Sequence, residues 1–209
     1  MPPSTGGARE GARRWHGTIA LAGSVWLLLA LSVGASGLLA GARPPVPQVV
    51  LAGLTALLLV LFARTRAVRD WALGVDIRVL VLIHATRLVG FYFLVLYGRG
   101  ELPWAFAVPG GWGDIVVAIL AIAVALAAPR RGAAGWWAYA IWNAIGLADI
   151  LGVVATATRL GMADPASMRA LTRLPLSLLP TFLVPIVIAT HVVIFARLRA
   201  SRRAGYRAL

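Results

Sequence analysis

An arginine, Arg87, stands ten residues into a run, 77–98, that is otherwise apolar enough to cross a membrane, with His84 one helical turn before it. A guanidinium stays protonated at any ordinary pH, and placing one at the centre of a bilayer costs at least ~2.5–3.5 kcal/mol. It therefore needs a carboxylate, backbone carbonyls or a water-filled cavity. Only two acids of the chain are placed to serve it, Asp114 and Asp149, each at or inside another apolar run. Such a pair permits three roles: an ion pair that fixes helix register, a proton relay, or an anchor for an anionic group of a small ligand. Intramembrane ionisable groups favour the functional roles. Asp149 is the expected counter-ion. Asp114, preceded by Trp112-Gly113 at the head of its run, reads as a helix N-cap that closes the outer end of the site.

Two histidines and an asparagine extend this polar interior. At 1.5 Å per residue, His84 and His191 lie ~10 Å from the cytoplasmic end of their runs, Asn143 ~12 Å, Arg87 ~15 Å and Asp149 ~21 Å. At 100° per residue, His84, Arg87 and Phe91 share one face, Trp142 and Asp149 nearly superpose with Gly146 between them, and Ser177, Pro180, Val184 and His191 form a stripe. Polar faces in lipid turn inward, so the three faces are expected to converge on one pocket. It is lined by Arg87, Asp149, His84, Asn143, Trp142, Asp114 and His191. Two histidines at matched depth would also suit a metal ion or axial ligation of a haem, against the plainer reading that each bonds a neighbouring helix. Neither an H-E-x-x-H helix nor a second histidine pair is present, which removes zincin and di-haem chemistry.

The elements that must hold these residues are six apolar runs: 17–41, 47–63, 77–98, 113–128, 135–158 and 174–198. Each approximates the ~20 residues that cross the hydrocarbon core, and none alternates as a barrel strand would. With 60% hydrophobic residues, 13% charged residues and a mean hydropathy of +0.85, lipid must serve as solvent for much of the chain. The expected fold is all-α, a polytopic integral membrane protein with a single bundle of six transmembrane helices over 15–198. Residues 1–14 read as a disordered cytoplasmic segment and 199–209 as a basic cytoplasmic tail.

A net charge of +13 would suggest nucleic acid in a soluble protein, but the arginines cluster between apolar runs and at the two ends, so no nucleic-acid partner is expected. Counting them with both termini in the cytoplasm gives fourteen inside (9, 13, 14, 64, 66, 69, 78, 130, 131, 197, 199, 202, 203, 207) and five outside (Arg43, Arg99, Arg159, Arg169, Arg173), with Arg87 buried. Trp15, Trp71, Trp136 and Trp137 fall at the inner boundary and Trp104 and Trp112 at the outer, consistent with a multi-pass protein of the cell (inner) membrane. The alternative for the first run is a secretory signal cut after Ala40-Gly41-Ala42, against which stands its length. Absence of cysteine excludes disulfides and thiol chemistry.

Local signals complete the outline. Residues 64–76 alternate basic and apolar around Trp71, as a short interfacial helix would. Residues 101–112 read as an interfacial loop, with a re-entrant dip as the other reading. Pro180 and Pro185 free the carbonyls of Leu176 and Thr181, as in a kinked or hinged helix. Small residues such as Ala30 and Gly34, or Ala121 and Ala125, mark close helix contacts. The function these features favour is a permease-like or small-ligand-binding membrane protein, with Arg87 and Asp149 holding a polar or anionic group and proton coupling as an accompaniment. The alternatives are a membrane enzyme acting on a lipid-soluble substrate, haem- or metal-dependent in one form, and an accessory subunit whose charges specify assembly. The lipid bilayer is the certain partner; a homo-oligomer would compensate for the small size. No cofactor is specified by the sequence.

Overall fold

The computed structural model describes residues 5–129 and 131–206, and their side chains from Gly17 onward. Residues 1–4, Arg130 and Arg207, and the side chains of Arg9, Arg13, Arg14 and Trp15, which entered the charge and aromatic counts, lie outside the described residues. All regular structure among the described residues is helical, and six helices are long and apolar enough to cross a membrane.

The first, α1 (Thr5–Ala35), takes in most of the stretch whose composition suggested disorder. It stops at Gly37, whose φ of 72° is the left-handed conformation that ends helices, and the short α2 (Leu38–Gly41) follows. The run 17–41 is thus two helices. Pro47 sits in the first turn of α3 (Val46–Arg64), where its missing N–H forfeits no helical bond. The stretch expected to be an interfacial helix forms α4 (Arg66–Gly74), which packs against α1, α3 and the last long helix. Asp76 then caps α5 (Ile77–Leu82) by accepting the Arg78 N–H at 2.8 Å.

From Ile83 to Val89 the same rod tightens into a 3₁₀ helix before resuming as α6 (Gly90–Gly98). The tightening changes which residues face inward. A 3₁₀ helix has three residues per turn, so i and i+3 eclipse. Accordingly Val81, His84, Arg87, Gly90, Phe93 and Leu96 are all buried in strict threes. Phe91, placed beside Arg87 by α-helical arithmetic, is exposed instead.

The fourth long helix, α7 (Trp104–Ala127), begins nine residues before the apolar run that announced it. Residues 104–112 are neither loop nor re-entrant segment but its first turns, started by extended Pro103 and continued through Pro109. Pro109 forgoes one backbone bond, and Gly110 and Gly111, immediately after it, pack closely against neighbouring helices. A Cβ on Gly90 would overlap the Gly111 carbonyl, and one on Gly111 would come within 2.9 Å of the Gly90 carbonyl.

After α8 (Gly132–Ala163) the chain passes a 3₁₀ turn (Arg169–Thr172) and a π-helical turn (Leu179–Leu183), then enters α9 (Val184–Arg203). Arg199, Arg202 and Arg203, in the segment expected to be a basic tail, lie in the last turns of α9. The core lies among α5–α6, α7, α8 and α9. One apolar cluster gathers around Ile77, Tyr139 and Ile194, and another around Phe93, Phe106 and Leu176. The second cluster is nearer the end formed by 36–45, 99–103 and 164–178, called here the distal end.

Candidate functional site

Three helices bring an ionic trio together at their midpoints. Arg87 lies midway along Ile77–Gly98. Asp114 is ten residues into α7, ~15 Å by helical rise. It is not an N-cap, because the helix starts at Trp104. Arg87 Nε donates to Asp114 Oδ1 at 2.6 Å, Nη1 to the Gly146 carbonyl at 2.9 Å, and Nη2 to Asp149 Oδ2. Arg87 and Asp114 are each 3% exposed, whereas the Asp149 side chain is 23% exposed, at the seam between α7 and α8. All three guanidinium nitrogens are thus committed to protein acceptors. Asp149 was the expected counter-ion; Asp114 shares that role.

Glycines make the approach possible. A Cβ on Gly113 would overlap Asp149 Oδ1, so glycine there admits the carboxylate between α7 and α8. A Cβ on Gly146 would lie 2.8 Å from His191 Cε1 and 3.1 Å from Val117. Gly146 therefore lets α7, α8 and α9 meet while its carbonyl serves Arg87.

The charges do not balance. One guanidinium faces two carboxylates, so the trio carries one excess negative charge unless a carboxyl holds a proton or a cation joins it. An anionic ligand group would have to displace a carboxylate to reach Arg87. Arg87 is thereby a counter-ion for two aspartates, and an anchor for anions only at their expense.

His84, His191, Asn143 and Trp142 form a separate packed cluster beside the trio. Asn143 clamps His191 twice: Nδ2 donates to the His191 carbonyl at 3.1 Å, and Oδ1 meets Nδ1 at 2.8 Å. Because the amide nitrogen is spent on a carbonyl, its oxygen must accept, which puts the proton of neutral His191 on Nδ1. The Thr190 hydroxyl donates to the Val187 carbonyl at 2.9 Å and so accepts from His84 Nε2 at 3.1 Å. The two rings touch, with centroids 4.2 Å apart, and Trp142 packs edge-on to His84 at 5.0 Å. Axial ligation needs an iron and its macrocycle between the rings, with the ligating nitrogens ~4 Å apart at ~2 Å per metal bond. Rings already in contact leave no such gap, so a haem does not fit. Among the described residues no three His, Cys, Asp or Glu side chains are grouped to hold a metal ion.

On the distal side of the trio is a chamber of about 510 Å³. Its walls come from α3 (Gln48, Leu51), α8 (Ile150, Val154) and the π turn and α9 (Leu183, Val187), and they are mostly apolar. Arg87 and Asp114 form its floor, and Arg43 and Arg169 stand at its distal rim. All three irregular helical stretches contribute, the 3₁₀ segment 83–89 through Thr86 and Val89, the 3₁₀ turn through Arg169 and Thr172, and the π turn through Leu179 and Pro180. Such stretches recur at hinges and functional sites. Of the seven side chains expected to line a pocket, Arg87 and Asp114 face this chamber. Asp149, His84, Asn143, Trp142 and His191 do not border it. Gln48 and Arg169 were missed. A glutamine inside an apolar run was a legible signal, and its Oε1 is buried without a hydrogen-bond partner. Arg169 gave no signal, because only the fold of 164–178 carries it to the rim.

Residues 44–199 match a family model described as Domain of unknown function (DUF8737). No curated protein and no solved structure matches the chain.

Proposed function

The chain belongs to the DUF8737 family, and we propose that it is a multi-pass membrane protein that binds a small lipid-soluble ligand in the chamber above the Arg87 trio. The chamber carries this reading. Its volume falls within the ~300–1,000 Å³ typical of small-molecule sites, its walls are apolar, and a few convergent polar groups stand at floor and rim. Six sufficiently apolar helices and the fourteen-to-five arginine distribution support a cell-membrane location with both termini cytoplasmic, so the distal end faces outward. A floor of two carboxyls around one guanidinium suits a hydrogen-bond donor, a cationic group or an exchangeable proton, the last being the element that proton coupling would use. It does not suit anion binding at Arg87.

A photoreactive probe tests the reading. The protein in phosphatidylcholine nanodiscs is irradiated with a diazirine-bearing hexadecanol, and the labelled peptides are mapped. Saturable labelling of chamber residues on α3, α8 and α9 is expected, and Ala52→Trp, which fills the chamber, should remove it. Labelling spread evenly over lipid-facing surfaces, and unchanged in Ala52→Trp, would sink the proposal.

A further inference from the structure

A second cavity, of about 470 Å³, adjoins the chamber at the distal end. Its lining differs in kind: Tyr92, Glu101, Ser167, Arg169 and Arg173 contribute polar atoms, with Leu102 and Leu176 beneath. The two cavities share Arg169 and Ala166, so one guanidinium stands where the apolar space meets the polar one. Arg43, across the rim of the chamber, comes from the chain after α2, which packs on the 3₁₀ turn carrying Arg169.

Three observations give this juncture a charge preference. No ion pair links Arg43, Arg169 or Arg173 to a carboxylate among the described residues, and the one carboxylate in the lining of the second cavity, Glu101, leaves the arginines in excess. The neighbouring Asp164 turns its carboxylate back onto the Ala166 N–H at 3.1 Å, which ties it into the local turn. These arginines are also three of the five at the end that the positive-inside rule would keep poor in arginine, and all three border the cavities. At the opposite pole of the chamber two carboxyls flank one guanidinium: with both ionised they repel an anionic group, and with one protonated Arg87 is still fully bonded to protein acceptors, so the rim arginines are the ones left to draw it.

We propose that the ligand is an anionic amphiphile with a phosphate head. The head sits at Arg169 and Arg173, within reach of Arg43, Ser167 and Tyr92, and the hydrocarbon tail runs into the chamber toward Asp114. Arginine suits phosphate because its planar fork donates two parallel hydrogen bonds to neighbouring oxygens. Gln48, with its free Oε1 in the chamber wall, accepts from a hydroxyl along the tail where one is present. This assignment rests on the proposed ligand-binding chamber and adds the chemistry and orientation of the ligand.

The experiment compares two diazirine probes in phosphatidylcholine nanodiscs, hexadecyl phosphate and hexadecanol. In the unaltered protein the phosphate probe should label chamber residues at a half-saturating concentration at least about ten-fold lower, equivalent to ~1.4 kcal/mol. In Arg169→Gln/Arg173→Gln the advantage should vanish while hexadecanol labelling is unchanged. Both side chains are exposed, so folding is spared, and an unchanged circular dichroism spectrum checks it. Competition identifies the source of the head group. Displacement by hexadecyl phosphate alone points to a single-chain ligand, displacement by phosphatidic acid as well to a membrane phospholipid, and either supports the assignment. Displacement by inorganic phosphate alone would overturn it, because the tail would then contribute nothing. Equal labelling by both probes would overturn it too while leaving the ligand-binding reading intact, and labelling by neither would end both.

Discussion

α3 and α7 are nearly equal in hydropathy, at 2.3 and 2.1 over their most apolar windows, yet they do opposite things in the fold. No residue of α3 is buried, and ten of α7 are, including Asp114 and two glycines. Hydropathy reports compatibility with lipid and is silent about neighbours. What separates the two helices is side-chain size along one face. On α7 the inward stripe Ala107, Gly110, Gly111, Asp114, Ala118, Ala121 and Ala125 lets adjacent backbones close in, whereas the small residues of α3, Ala52, Gly53 and Ala56, sit among leucines and valines and are exposed. Thus α7 is the member on which the ionic trio is assembled, and α3 is an outer wall that packs on α9 and the π turn, with the chamber between it and α8. The family match, which starts at residue 44, includes this outer wall but excludes α1.

The sharpest way to break the contrast is to remove the charges that α7 and α8 bring to Arg87. Asp114→Asn/Asp149→Asn leaves a buried guanidinium without a counter-ion, and its thermal unfolding in detergent should show a loss of about 3–5 kcal/mol. Each single substitution should cost well under half of that, because the other carboxylate still pairs with Arg87. Arg87→Met should also cost less than the double variant, since the two carboxyls it leaves can neutralise by taking up protons. Equal losses for one and both aspartates would show that a single carboxylate does all the pairing.

How much of this was legible beforehand varies by element. Runs of apolar residues placed the long helices, and burial cost alone paired Arg87 with the two aspartates. The depth of Asp114 was misjudged, because Pro109 and the glycines around it look like a loop when their packing partner, Gly90, is unknown. The inward face of 81–96 was misjudged for a different reason: it follows 120° per residue, not 100°, and nothing in the composition of Ile83–Val89 marks a 3₁₀ stretch. The histidines had been expected to line the pocket. Their role beside it depends on Asn143 and Thr190 being at matching heights on other helices, which spacing within one helix does not reveal. The chamber itself was invisible, since a cavity is made by what fails to touch.

Glycine substitutions test the same contrast at intermediate scale. Gly90→Ala drives a methyl group into the Gly111 carbonyl of α7, backbone against backbone, and should destabilise by about 1–3 kcal/mol. Gly53→Ala on α3 meets nothing within 4 Å and should stay within about 0.5 kcal/mol of the parent. Comparable losses at the two positions would mean that the Gly53 face of α3 is packed after all, against a partner such as a second copy of the chain. Ala52→Trp on the chamber side of α3 should likewise change stability by less than about 1 kcal/mol while ending probe labelling, which separates the wall's role in binding from any role in folding.

A smaller loss than that of Gly90→Ala is expected where α1 meets the bundle. Pro185 has no N–H, so the Thr181 carbonyl loses its helical donor. Trp26 of α1 supplies one instead, its indole N–H reaching that oxygen at 2.9 Å while the ring packs edge-on to Phe182 at 4.9 Å. In lipid no water replaces a lost donor, so Trp26→Phe should cost about 1 kcal/mol. That loss has a specific signature. In a Pro185→Ala background the restored N–H can serve Thr181 from within α9, and the same Trp26→Phe substitution should then cost measurably less. A double-mutant cycle on thermal unfolding reads the difference. Strict additivity would mean that the indole holds α1 by ring packing alone, and that the carbonyl freed by Pro185 is no part of what attaches the first helix to the bundle.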